Sequence, residues 1–443
     1  MYDLIVIGAG SGGLAAAKRA ANAQKKVLLI ENDTIGGTCV SYGCVPKKLW
    51  HQISHTHFDL EHARSHGWSI NKATFNWGEV KPRLSDFIKS LNNRHKEKCL
   101  AAGIDIVNGT AQLTSPTQVT VNNKCYDGKH ILIAVGSTAK KMPIPGTEYC
   151  DTSYEFFAWD NLPKQVVVWG GGYIAVELAS ILNALGSTVH LIIRQSSVLR
   201  GFDEDLREFL HSQYENRGIT IHNETSIEKV VKHNDEFIVH CTNGVQLKAN
   251  KVLQALGRVP NTTPLNCSNV GIDCDNNGAI IVDDNYQTSV KTISALGDCI
   301  DRVQLTPVAI AQAREWVDNV LLNKSFPVDY RLIPTAVFSH PEAATIGLTE
   351  SDAKNSYDNI DVKKLVFNPL TMALNQHNKE PVFIKLVINA KNNRILGIHL
   401  STSAAAEIVQ SLAIAMQKGI TKDDLDLTMA LHPSVMEELV TIY

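Results

Sequence analysis

"YDLIVIGAGSGGLAAAKRAANAQKKVLLIE", residues 2–31, decides the fold. "YDLIVIG" is an apolar run of strand length, "GAGSGG" a turn, "LAAAKRAANAQ" a helical segment and "KKVLLIE" a second apolar strand. That order makes a βαβ unit. In Gly8-x-Gly10-x-x-Gly13 the glycines permit a tight turn, close backbone approach to a pyrophosphate and helix-on-strand packing, while the helix N-terminus faces the negative charge. Glu31, 23 positions beyond Gly8, stands where a carboxylate accepts hydrogen bonds from ribose hydroxyls. The unit is expected to hold the ADP half of FAD or NAD.

The same grammar returns in "KQVVVWG", "GGGYIA", "VELASILNALG" and "STVHLIIR", which puts Gly170, Gly171 and Gly172 in an equivalent turn 162 positions after Gly8. Here the offset that gave Glu31 falls on Ile193, with Arg194 and Arg200 close behind. An acid repels a ribose 2′-phosphate, whereas guanidinium groups pair with it through charge-assisted hydrogen bonds. The second nucleotide is therefore expected to be NADPH, although spacing alone also allows two solvated surface charges.

A chain of 443 residues exceeds what one hydrophobic core serves, so several domains are expected. The pattern predicts an α/β protein with two Rossmann-like dinucleotide-binding domains and a C-terminal α+β domain. The expected segments are 1–145, 146–260, a return to the first unit over 261–331, and a C-terminal domain over 332–443 that opens near "YRLIPTAVFSHPEAATIG". A net charge of -3 gives no electrostatic case for nucleic acid or an anionic membrane. The N-terminus lacks a cationic n-region and a cleavage site, and the longest apolar stretch is interrupted by Glu177, so the expectation is a cytoplasmic protein without a membrane span.

Nine cysteines are too sparse for a secreted disulfide framework, and seven of them show neither metal-ligand spacing nor a local partner. The exception is "IGGTCVSYGCVPKK", residues 35–48, which sets Cys39 and Cys44 five positions apart with Gly43 between them. Such thiols can close a small disulfide if the backbone bends. An isolated pair reads equally well as two unrelated buried thiols. Placed just after a nucleotide-binding unit, it reads as a redox relay made and broken in turnover.

"GGTCVSYGCVPKK", "GAGSGG", "GGGYIAVE", "ALGRVPNT", "ALGD" and "HPSVMEELV" together resemble the class I pyridine nucleotide-disulfide oxidoreductases, and within them the reductases of glutathione disulfide. The match runs nearly end to end. It implies electron flow from NADPH through FAD to the Cys39–Cys44 disulfide and on to an external disulfide. By resemblance Cys44 lies against the flavin as the charge-transfer thiolate, Cys39 attacks the substrate, and Lys47 pairs with Glu177 near the flavin ring. The FAD site carries over at Ser11, Gly12, Thr38, Ala111, Asp298 and Thr306. The NADPH side carries over at Gly171, Ile174, Glu177, Arg194, Arg200 and Gly257, with Tyr173 as the aromatic that covers the flavin.

In "ALHPSVMEELV", Pro433 suits the first turn of a helix, which would leave His432 just outside it and Glu437 about one turn in. The resemblance assigns His432 as acid/base for Cys39 and Glu437 as its orienter, supplied across a two-fold homodimer. Substrate contacts are implied at Ser11, Lys18, His95 and Arg314; Lys18 stands where many relatives carry arginine and His95 where several carry tyrosine. Lysine keeps the charge but loses the planar fork, so glutathione disulfide, glutathione amide disulfide and a trypanothione-like disulfide stay open as substrates. A flavin-binding interaction protein without turnover is the alternative from another class, and the intact Cys39, Cys44 and His432 set speaks against it.

Overall fold

The same four-strand parallel order is built twice. In the computed structural model, which describes residues 1–322, 324, 327–375 and 379–443, the first unit comprises β1 (Tyr2–Ile7), α1 (Ser11–Asn22) and β2 (Val27–Glu31). It continues through α2 (Gly37–Ser41), α3 (Cys44–Ser65), α4 (Trp77–Ala101), β3 (Asp105–Asn108), β4 (Gln112–Ser115), β5 (Gln118–Val121) and β6 (Lys124–Ile133). Next come β7 (Ser137–Ala139), β8 (Cys150–Asp151), α5 (Ser153–Phe156), β9 (Gln165–Trp169), α6 (Tyr173–Ala184), β10 (Thr188–Ile192), α7 (Glu204–Asn216) and β11 (Thr220–His222). An antiparallel β12 (Ile227–His233), β13 (Glu236–Cys241) and β14 (Gln246–Ala249) precede β15 (Lys251–Gln254) and β16 (Arg258–Pro260). The first sheet runs β3-β2-β1-β6 and the second β11-β10-β9-β15, all parallel, so β1 corresponds to β9 and β6 to β15.

Steric contact explains why both units need glycine at the turn. A Cβ on Gly8, at φ +103°, would lie 2.3 Å from the Ala134 carbonyl oxygen; one on Gly170, at φ +137°, would lie 2.2 Å from that of Ala255. A Cβ on Gly13 would lie 1.9 Å from the Gly8 carbonyl oxygen, so α1 could not approach β1 this closely with any other residue.

After β16, which pairs with β7, the strand β17 (Ile293–Ala295) returns to the first sheet beside β6. Helix α8 (Thr306–Leu322) follows and packs on α1, where Arg19 makes a two-pronged ion pair with Asp318. The C-terminal part holds β18 (Thr335–Val337), β19 (Ala343–Gly347), α9 (Glu350–Ser356), β20 (Ile360–Phe367), β21 (Val382–Asn389), β22 (Ile395–Ser401), α10 (Ala405–Gln417), α11 (Lys422–Leu427) and α12 (Glu437–Thr441). Its antiparallel sheet, ordered β18-β19-β22-β21-β20, shares an apolar core with α10. The α/β architecture with two Rossmann-like units and a C-terminal α+β domain is as expected. Pro433 differs from expectation: the His432–Pro433 peptide is cis, and α12 begins only at Glu437.

The C-terminal domain is welded to the second nucleotide unit by charge. Lys385 on β21 is 1% exposed and reaches Asp203, which caps α7, together with Asp205 and Glu350. Burial alone would raise the Asp205 carboxyl, but hydrogen bonds from Lys364 and Lys385 outweigh it and hold it below its ordinary value. Glu350 is also held low, by Lys354 and Lys385. Carboxylates with depressed folded values stabilise above their unfolded range of about pH 4 and lose that contribution as pH falls through the folded values. Lys385→Met leaves three acids without their shared cation and is expected to cost about 3–5 kcal/mol, read as a lower chemical-unfolding midpoint. Its deficit should shrink as pH falls below about 4, because the acids then take up protons.

Candidate active site

Where the two nucleotide units meet, a cleft of about 950 Å³ opens, near the top of the ~300–1,000 Å³ range of ligand pockets. Gly8, Gly10, Ser11, Gly12, Glu31, Thr38, Cys39, Cys44, Lys47, Ala111, Asp298 and Thr306 line it from the first unit and its return segment. Tyr173, Ile174 and Glu177 reach it from α6 of the second unit, and Thr335, Ala336 and Phe338 from the C-terminal domain. Gly13 lies beneath the wall, against Gly8, where its packing role puts it.

The wall has the shape and chemistry of a dinucleotide site. A Cβ on Gly10 would meet no protein atom within 4 Å, so glycine there leaves space in the cleft. The Glu31 carboxylate ends β2 at the cleft edge, held by the backbone N–H groups of Ala9 (2.6 Å), Asn32 and Asp33 (2.9 Å each). Asp298 accepts from the Ser137 hydroxyl at 2.7 Å, and Arg258 donates from Nε to that hydroxyl at 2.8 Å. Tyr173, the first residue of α6, is 40% exposed into the cleft. These residues fit FAD.

Cys39 and Cys44 sit on this wall as thiols within hydrogen-bonding reach of each other. Cys44 is the first residue of the 22-residue helix α3, where unpaired N–H groups favour an anion. Its hydrogen bond with Cys39 lowers the Cys44 thiol to about 6, against the opposing effect of burial and with help from Thr306 and Lys47. The Thr306 hydroxyl lies 3.6 Å from the Cys44 sulfur. Cys39, in the short α2, is pushed the other way, chiefly by the hydrogen bond to Cys44 and then by burial. A dithiol in this setting carries its charge on Cys44 and its proton on Cys39.

Beside Cys44, Lys47 donates to Glu177 at 2.7 Å, an ion pair with the carboxylate only 3% exposed. Motif reading missed Phe338. Its backbone N–H donates to the same Glu177 oxygen at 2.8 Å, and its ring lies 4.1 Å from the Lys47 ammonium and 3.9 Å from that of Lys48. No local pattern marks Phe338, because its partners lie some 160 and 290 positions away in sequence.

The second turn is built on Gly170, Gly171 and Gly172. A Cβ on Gly171 would come within 3.2 Å of Ile193, whereas at Gly172 and Gly257 it would meet nothing within 4 Å. Arg194 and Arg200 are exposed after β10, and among the described residues neither side chain has a hydrogen bond or ion pair. Two free guanidinium groups at the strand end where an acid would otherwise stand fit the extra phosphate of NADPH.

The remaining sites lie away from the cleft. His95 on α4 and Lys18 on α1 are close enough to interact: burial first, then Lys18, Lys98 and Arg94, pushes the His95 imidazole below its ordinary value, and its Nδ1 has no partner. Arg314 is exposed on α8. His432 donates from Nδ1 to the Glu437 carboxylate at 2.8 Å, with its ring 80% exposed. Among the described residues none beyond Phe338 lines the cleft, so His432 and Glu437 do not meet the cysteines of their own chain there.

Family comparison agrees with this geometry. Residues 2–313 match the pyridine nucleotide-disulphide oxidoreductase family and residues 333–443 its dimerisation domain. The chain is 38% identical over its whole length to glutathione reductases from Burkholderia cepacia, a Nostoc species and Schizosaccharomyces pombe, and covers 98%, 99% and 98% of those proteins respectively. With a paired-glycine nucleotide cleft, a dithiol on its wall and full-length matches of this kind, the chain belongs to the pyridine nucleotide-disulphide oxidoreductases.

Proposed function

We propose that the chain is an NADPH-dependent flavoprotein reductase of glutathione disulfide. The observation that carries this reading is the polarised Cys39/Cys44 dithiol on the wall of the dinucleotide cleft, with its anion on Cys44 at the start of α3 and its proton on Cys39.

Gly8, Gly10, Ser11, Gly12, Glu31, Thr38, Ala111, Asp298 and Thr306 would hold FAD, and Gly170, Gly171, Gly172, Ile174, Gly257, Arg194 and Arg200 would hold NADPH. FAD, when bound, takes electrons from NADPH and passes them to the Cys39–Cys44 disulfide. Tyr173 would shield the flavin site until nicotinamide arrives, and Lys47, fixed by Glu177, would supply a positive charge to it. Cys39 then attacks a sulfur of the substrate disulfide, forming a mixed disulfide and releasing one thiolate. Cys44 attacks Cys39 of that mixed disulfide, releasing the second thiol and restoring the Cys39–Cys44 bond.

The first attack needs a base, because the resting proton lies on Cys39, and the leaving thiolate needs an acid. His432 suits both tasks, with Glu437 fixing its tautomer. It stands off its own cleft on a face where Leu427, Met429 and Leu431 are 87%, 94% and 78% exposed, more apolar surface than a monomer keeps bare. In a two-fold dimer the partner subunit's His432 serves Cys39, which agrees with the dimerisation-domain match. Lys18, His95, Arg314 and Ser11 receive the carboxylated ends of the substrate. Among the described residues no helix is long and apolar enough to cross a membrane, and turnover of a disulfide in a reducing compartment fits the cytoplasm.

Steady-state oxidation of NADPH with glutathione disulfide tests the whole reading; lipoamide or trypanothione disulfide turned over faster than glutathione disulfide would overturn the substrate. NADPH is expected to be used far more efficiently than NADH. Losing two charge-assisted contacts of about 1.5–3 kcal/mol apiece in the Arg194→Ala, Arg200→Ala double variant should raise KM for NADPH at least ~100-fold and leave that for NADH nearly unchanged.

A complementation assay tests the shared site. Cys39→Ser and His432→Ala chains, each nearly inactive, should recover about a quarter of unmodified activity after random subunit exchange, since each mixed dimer gains one intact site. No recovery after verified exchange would place both residues in one chain's site.

The Lys47 cation can be read from Cys44 directly. In cofactor-stripped, reduced protein the half-point of Cys44 alkylation by iodoacetamide is expected near the lowered value of about 6. Removing the cation in Lys47→Met should raise that half-point by roughly one unit, since an opposite charge favours the thiolate.

A further inference from the structure

Behind the cleft wall, Gln312 on α8 is 0% exposed, and none of the chemistry above uses it. A buried amide costs free energy unless both of its ends are hydrogen-bonded. Here both are. Gln312 Oε1 accepts from the Gly297 N–H at 2.8 Å, and Nε2 donates to the Tyr330 hydroxyl at 2.8 Å. That hydroxyl lies 3.1 Å from the hydroxyl of Tyr286, which donates to the Glu315 carboxylate at 2.6 Å. The one hydroxyl proton of Tyr286 is spent on Glu315, so Tyr330 donates to Tyr286 and is left to accept from Gln312. Donation therefore runs one way, from the amide through two tyrosines to the carboxylate. A reversed amide would set its NH2 group against the Gly297 N–H, donor against donor, and the chain of hydroxyls opposes that reversal. Its far end is fixed as well, because the Tyr286 carbonyl accepts from the Ala295 N–H of β17 at 3.0 Å.

Gly297 stands at a decisive bend. At φ +75° it opens the 3-10 turn Gly297–Ile300 just after β17, and Asp298, the next residue, faces the cleft. Ser137 donates to one oxygen of the Asp298 carboxylate at 2.7 Å, while Gln312 holds the backbone one residue earlier. The side chain and its base are thus fixed separately. We infer, on the reading that Asp298 receives FAD, that Gln312 is a positioning residue for the flavin cofactor: it acts through Gly297 to set the turn that presents Asp298. The Tyr330, Tyr286 and Glu315 side chains keep its amide turned the right way. Without the amide, the buried Gly297 N–H has no acceptor, and the turn relieves that cost by leaving the arrangement FAD requires.

FAD-loaded enzyme is diluted over a graded series, and the fluorescence of released FAD gives the dissociation constant. In Gln312→Leu this constant is expected to rise roughly 5–150-fold, the range set by one buried N–H group left unpaired. Binding of NADP+ to the same variant, measured by equilibrium dialysis at saturating FAD, should be unchanged, because the glycines and arginines of that site lie in the second unit. Gln312→Glu should recover most of the FAD affinity: burial keeps its carboxyl protonated, and the acid offers a carbonyl to Gly297 and a hydroxyl to Tyr330. Tyr330→Phe frees the amide to turn and should weaken FAD binding less than Gln312→Leu does. The double variant should be no weaker than Gln312→Leu, since both changes break one chain. Gln312 has no positioning role if Gln312→Leu holds FAD as tightly as the unmodified enzyme, if it loses FAD and NADP+ alike, or if Gln312→Glu is no better than Gln312→Leu. Asp298→Asn separates the two readings. Undiminished FAD affinity there overturns the placement of FAD and the role of Gln312 with it, whereas weakened binding in Asp298→Asn but not in Gln312→Leu overturns the role of Gln312 alone.

Discussion

The Lys47–Glu177 ion pair is where the three parts of the chain are made to agree. Lys47 comes from the first turn of α3, Glu177 from α6 of the second nucleotide unit, and Phe338 of the C-terminal domain donates its N–H to the same carboxylate oxygen while its ring covers the ammonium. A carboxylate 3% exposed loses most of its hydration, and attraction to one lysine repays that only with good geometry and a second donor. Both are present. The arrangement therefore tolerates only one docking of α6 against α3. It holds Cys44, three residues before Lys47, at the boundary between the two nucleotide units. The net stability from such a pair is small; its value lies in penalising every misaligned docking with a buried, unpaired charge.

Polarity within the dithiol follows from the same docking. Cys44 heads a long helix, faces Thr306 at the start of α8 and feels Lys47, whereas Cys39 sits in a five-residue helix where the lowering effects of Thr306 and Ser11 are outweighed by burial and by its hydrogen bond with Cys44. Two thiols that share one hydrogen bond cannot both be favoured as anions. The lowered thiol is therefore Cys44 and the raised one Cys39.

What could be read from the sequence was what local sterics impose. Gly8 and Gly170 must be glycine because their turns carry positive φ values and crowd a neighbouring carbonyl, so the βαβ units and the shape of the cleft were visible in the pattern. The inversion from Glu31 to Ile193, Arg194 and Arg200 was visible for the same reason, since strand-end positions keep a fixed offset from the turn. Contacts between distant segments left no such trace. Phe338 has no motif, because its partners Glu177 and Lys47 lie far away in sequence. Pro433 misled, because a proline after histidine was taken as a helix start when the chain instead takes a cis bend and begins its helix four residues later.

His432 shows how placement can carry information that residue identity does not. A histidine locked to a carboxylate at 2.8 Å is prepared to shuttle protons, yet its ring is four-fifths exposed and faces none of its own chain's thiols. Holding Glu437 22% exposed beside an idle histidine would give the folded monomer nothing beyond a surface ion pair, worth well under about 1 kcal/mol. The surrounding Leu427, Met429 and Leu431 side chains are bare in the single chain, an arrangement that costs solubility unless another surface meets them. Both features make sense together if the histidine and its apolar surround are one half of a site completed across a two-fold axis. On that arrangement Cys39 would keep its proton until the dimer supplied a base.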